Sequence, residues 1–109
     1  MIEIKPDGSI RIPHGDTLNI SFQLQGYEVQ EGDVFVFTVK KTPSDDEILI
    51  RRECVVEEDN LLTVIVGKDD MKTLEIGTKY YDVCVLQGII KNTLMFPKKL
   101  VIAEVVNDE

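Results

Sequence analysis

Leu18-Asn19-Ile20-Ser21-Phe22-Gln23-Leu24 decides the fold, because every second side chain is apolar and every one between is polar. Successive side chains of a strand point to opposite faces, so this run reads as a strand with one face on a core and one in water. The same alternation recurs on both sides of it. Upstream, Ile2 and Ile4 alternate with charge, Pro6-Asp7-Gly8 turns the chain, and Ile10 and Ile12 end at Pro13-His14-Gly15-Asp16. Downstream, Gly26 and Gly32 bracket a polar loop ahead of Val34-Phe35-Val36-Phe37-Thr38-Val39, which is apolar on both faces. That pattern predicts a central strand between two covered surfaces.

The second half follows the same rule. Thr42-Pro43-Ser44-Asp45-Asp46 interrupts the chain before a strand from Ile48 to Val56. Glu57-Glu58-Asp59-Asn60 then connects it tightly to Leu61 through Val66, as in a hairpin. Gly67 to Leu74 has the only helical spacing, enough for a single turn. Strands are expected from Tyr80 to Leu86, from Ile89 to Met95 after a two-residue turn at Gln87-Gly88, and from Leu100 to Val106 beyond Pro97.

Composition points the same way. Thirteen Val, twelve Ile and seven Thr stand against one Ala, Ala103. β-branched side chains suit a pleated surface and Ala suits a helix, so a helical bundle is excluded. A chain of 109 residues holds one core, with residues 10–106 as its expected extent. Crossover helices have no room, which removes parallel βαβ architecture. The expected fold is an all-β, immunoglobulin-like antiparallel β-sandwich of about seven to nine strands, with turn signals roughly every 8–12 residues. Leu74-Glu75-Ile76-Gly77-Thr78-Lys79-Tyr80 fits a tyrosine corner, in which a tyrosine before a strand bonds back to loop backbone. Tyr80 is the expected corner residue, with Gly77 and Leu74 shaping its turn and Tyr81, Val83 and Val85 facing the core.

Charge narrows the partners. Twelve basic and twenty acidic residues give a net charge of −8, and no basic cluster in sequence goes beyond pairs such as Lys40-Lys41, Arg51-Arg52 and Lys98-Lys99. Nucleic-acid backbones and anionic membranes are repelled by such a surface. Apolar runs are four residues or shorter, so no membrane insertion is expected. The start, Met1-Ile2-Glu3-Ile4-Lys5-Pro6, lacks the pattern of a signal peptide.

Reactive chemistry finds little purchase. Any Ser-His or Cys-His pair must use His14, which sits in a turn, and Cys54 and Cys84 read as free strand thiols. The acidic runs Asp45-Asp46-Glu47, Glu57-Glu58-Asp59 and Asp69-Asp70 read as solvated loops; calcium would need oxygens converging from several of them. Phosphate-binding glycine spacing is missing, and Tyr27 and Phe96 are the aromatics expected on loops. The expectation is a protein that is not an enzyme, with no catalytic residues, no cofactor and no metal.

The order of segments carries a resemblance. Gly15-Asp16-Thr17-Leu18-Asn19-Ile20-Ser21-Phe22 and Val36-Phe37-Thr38-Val39-Lys40-Lys41 are followed by Asp70-Met71-Lys72-Thr73-Leu74-Glu75-Ile76-Gly77-Thr78-Lys79-Tyr80-Tyr81-Asp82-Val83. Gly88, Thr93 and Leu100-Val101-Ile102 complete the series. From Ile10 to Val106 the chain resembles the immunoglobulin-like N-terminal domain of tailed-phage upper baseplate proteins. The resemblance implies a non-enzymatic structural module of a phage or prophage virion, made in the host cytoplasm and acting in baseplate or tail assembly. Its implied partners are other virion or tail proteins and further copies of itself. The alternative is a ligand- or carbohydrate-binding β-sandwich module at a cell surface, where an exposed aromatic would serve as a platform.

Overall fold

A computed structural model of the chain describes residues 2–107. Nine strands and one helical turn follow one another: β1 (Glu3–Ile4), β2 (Ile10–Pro13), β3 (Leu18–Gln23), β4 (Val34–Lys40), β5 (Ile50–Glu57), β6 (Leu61–Val66), α1 (Lys68–Met71), β7 (Gly77–Gln87), β8 (Ile90–Thr93) and β9 (Lys98–Ala103). The fold is all-β. Hydrogen-bonded neighbours run in the order β1-β2-β9-β7-β4-β5-β6-β3, with β8 also paired to β7.

Pairing is mixed, which corrects the antiparallel expectation. β2 runs parallel to β9, with Ile10 opposite Leu100 and Ile12 opposite Ile102, while the other pairs are antiparallel. Parallel neighbours need a long connection between them. Here it is most of the chain, since β2 lies near the beginning of the sequence and β9 near its end.

The path curls because β5 serves two neighbours. Its first half pairs with β4, ending at Cys54 opposite Phe35. From Val55 onward it pairs with β6 instead. The curl brings β3 over β7, although the two share no hydrogen bonds: the rings of Phe22 and Tyr81 lie 6.1 Å apart at 29°. Inward residues of the curled sheet meet in one apolar cluster, including Leu18, Ile20, Phe35, Phe37, Val64, Val83 and Leu100.

β4 is central, as its two-faced pattern predicts, lying between β5 and β7. Phe35, Phe37 and Val39 face the core, while Val36 is buried on the other face opposite Cys84. Tyr81, Val83 and Val85 are fully buried. The β5–β6 hairpin turns through a short 3-10 segment, Glu58–Asn60, in which Asp59 and Asn60 take positive φ. The β7–β8 turn is shifted by one residue from expectation: Gln87 pairs with Ile90, leaving Gly88-Ile89 as the loop. Gly88 has φ +59 and Ile89 does not have positive φ, which fits a type II′ turn with Gly in its first central position.

Candidate functional site

Tyr81 is the tyrosine that reaches back to backbone. Its hydroxyl donates to the Gly8 carbonyl in the β1–β2 connection, and its ring packs against Phe37 at 5.4 Å. Tyr80, its neighbour, alternates onto the opposite face of β7 and is half-buried there. Leu74 is buried in the core and Gly77 opens β7 with φ +128. Period-two alternation separates Tyr80 from Tyr81, but which of two adjacent tyrosines finds a carbonyl depends on a loop 73 residues upstream.

The tether places the β1–β2 connection as the wall of a cleft on the outer face of β7 and β9. Lys5 O accepts from Gly8 N at 2.9 Å, and Asp7 Oδ1 accepts from Ser9 N at 2.9 Å. A Cβ at Gly8 would come within 3.3 Å of the Lys98 side chain, so the turn lies directly on that lysine's stem. Tyr80 and Pro97 also line the cleft. The cavity measures about 490 Å³.

Lys5, Arg11, Lys98 and Lys99 line this cleft, with Asp7 as its acid. Among the described residues none of the four cations is ion-paired within 4 Å. The Asp7 carboxyl is held below its ordinary value, chiefly by the Ser9 backbone bond and further by Lys5 and Lys98. Among the described residues, eight cations and seventeen acids lie outside the cleft, a balance of −9. The sequence shows only the Lys98-Lys99 pair. Lys5 and Arg11 join it because β2 lies beside β9.

Other candidate groups serve loops. His14 Nε2 lies 3.2 Å from the Lys72 carbonyl, well away in sequence from either thiol. Cys54 and Cys84 are free thiols, and burial pushes both pKa values up. Asp33 accepts from Tyr27 Oη, Gln30 N and Gln87 Nε2, each at 2.8 Å. These bonds, the Gln30 amide first, lower its pKa and fasten the loop between β3 and β4. Asp70 pairs with Arg52, and Asp45 Oδ1 accepts from Glu47 N at 3.0 Å. Among the described residues no group of three His, Cys, Asp or Glu is placed to hold a metal ion. No helix there is long and apolar enough to cross a membrane.

A second opening lies where the curled path leaves a gap beside β3. Phe22, Leu24, Tyr27, Leu94 and Met95, with Gln23 and Gln25, line this groove of about 310 Å³. Phe96, the next residue, is 85% exposed.

No protein-family model and no curated protein matches the sequence. Among solved structures, the chain is similar to part of the pullulanase SAP of Group B Streptococcus, with a TM-score of 0.51 and 11% identity. The likeness covers 73% of this chain and 10% of that one. At that identity it speaks for shared fold alone, and the chain spans about a tenth of the pullulanase's length.

Proposed function

We propose that this chain is a non-enzymatic interaction module, an immunoglobulin-like sandwich that acts in the assembly of a phage or prophage baseplate or tail. The two strand layers that share β5 and enclose one core support the sandwich description. The ordered motifs from Ile10 to Val106 support the virion context. The observation that carries an assembly role is charge segregation: four cations with no ion pair to a described residue share one cleft, while the other described residues balance to −9. Interfaces use such patches to select partners and fix their orientation. Mass spectrometry of purified particles tests this reading. Stoichiometric presence of the chain is the expected result, and its absence from particles overturns it.

A carbohydrate-binding module is the second reading. It is supported by the fold shared with part of a pullulanase and by Tyr80, an aromatic lining the charged cleft. Saturable binding on a glycan array that Tyr80→Ala abolishes would favour it over assembly.

A further inference from the structure

We propose that copies of this chain join head to tail, with Phe96 of one copy seated on the outer face of β5 and β6 of the next. This rests on the assembly reading and supplies the contact itself. Two complementary patches carry it. The first is Phe96, 85% exposed in the β8–β9 connection, immediately before Pro97, Lys98 and Lys99; neither lysine has an ion pair with a described residue. The second is a shallow depression of about 270 Å³ on the solvent face of β5 and β6. Val55 and Ile65, 67% and 58% exposed, line it with Thr63, and Glu53 and Glu57 complete its lining.

Both patches therefore combine an apolar centre with charge, and the charges are opposite. Glu57 has no ion pair with a described residue, and Glu53 has only an exposed contact to Arg51 at 3.7 Å. A phenyl ring buries roughly 150–250 Å² when it docks, and aromatic anchors inside a polar rim carry most of the energy of small interfaces. The Lys98 stem lies against Gly8, which holds the basic side of the anchor in place.

A second copy is the occupant because each half of the match is present on one chain. The two halves cannot meet within a molecule: Phe96 precedes β9, whereas the acidic depression is on β5 and β6, separated from β9 in the strand order by β7 and β4. A contact between unlike patches propagates as a ring or a filament. Chains at −8 repel each other over long distances, so the contact forms at physiological ionic strength, where screening shortens that repulsion to about 8 Å.

Sedimentation velocity on the full chain tests the contact, using wild type, Phe96→Ala, Val55→Arg and an equimolar mixture of the two variants. Wild type is expected to grow beyond a dimer as concentration rises, and each variant alone is expected to stay monomeric. The mixture should form a dimer and stop there, because Phe96→Ala keeps the acidic face and Val55→Arg keeps the anchor. Monomeric wild type at every concentration overturns the proposal, as does undiminished association of Phe96→Ala or a mixture that remains monomeric. Should Val55→Arg lose its native circular dichroism spectrum, Glu57→Lys replaces it in the same mixture. Particle composition judges the assembly reading separately, so chain found in particles together with unaffected Phe96→Ala association would remove the contact and leave that reading standing.

Discussion

Replacing Tyr81 with Phe removes one oxygen from the centre of the fold and leaves the ring between Phe22 and Phe37. At neutral pH the variant loses the bond to Gly8 and leaves that carbonyl without its partner, a cost of about 1–2 kcal/mol. Alkaline pH reverses the comparison. Burial, and secondarily the Asp7 charge, push the Tyr81 phenol from 10.0 up to about 12. Between those values the unfolded chain has released this proton and the folded chain still holds it, so stability falls as pH rises. About two pH units at roughly 1.4 kcal/mol each set the loss near 3 kcal/mol, complete once pH passes the folded value. The Phe variant has no proton to lose there. Its deficit should therefore shrink above pH 10 and change sign at about pH 11, while every other titrating group affects both proteins alike. Urea denaturation followed by far-ultraviolet circular dichroism reads both stabilities across the range. A difference that stays constant from neutral to strongly alkaline pH would refute the buried, hydrogen-bonded phenol.

Three further substitutions test separate parts of the structure. Phe37→Ala empties the centre of the core, where the side chain is fully buried, and should cost about 3–5 kcal/mol by calorimetry; a loss within about 1 kcal/mol would mean the ring is not enclosed. Gly8→Ala forces a β-carbon into φ +92 and against Lys98, and should destabilise by about 1–2 kcal/mol, read as a lowered Tm; an unchanged Tm would argue against that turn. Asp33→Ala should speed amide exchange at Gln30 and through the loop between β3 and β4, with little change in strand protection. Because its pKa is depressed, the native Asp33 contribution is full above the ordinary carboxylate value and lost as pH falls through the folded one, so acid should mimic the substitution. Loop exchange that is insensitive to both would remove the role given to this carboxylate.

Much of the fold is legible in local pattern. Leu18 to Leu24 alternates because one face of β3 is buried, and Val34 to Val39 is apolar on both faces because β4 is central and Val36 is covered on its outer face. Glu57 to Asn60 reads as a tight connection and forms one. The candidate surface is much less legible. Lys98-Lys99 is visible as a pair, but Lys5 and Arg11 lie about ninety residues earlier, and no spacing rule links them. Phe96 reads in sequence as a loop aromatic and lies exposed in the β8–β9 connection, but no local pattern shows what it faces.

Sequence alone determined what depends on neighbours along the chain: the β class, most of the strands and turns, and the inward side of Tyr81, Val83 and Val85. These follow from the two-residue period of a strand and from the backbone freedom of turn residues. Tertiary structure alone decided that β2 runs parallel to β9, that β5 divides between two partners, and that Tyr81 reaches Gly8. It also decided that an acidic chain gathers four cations in one cleft. Pairing across long loops is selected by the packing of the whole core, and closure cost grows only slowly with loop length, so local pattern leaves those partners open.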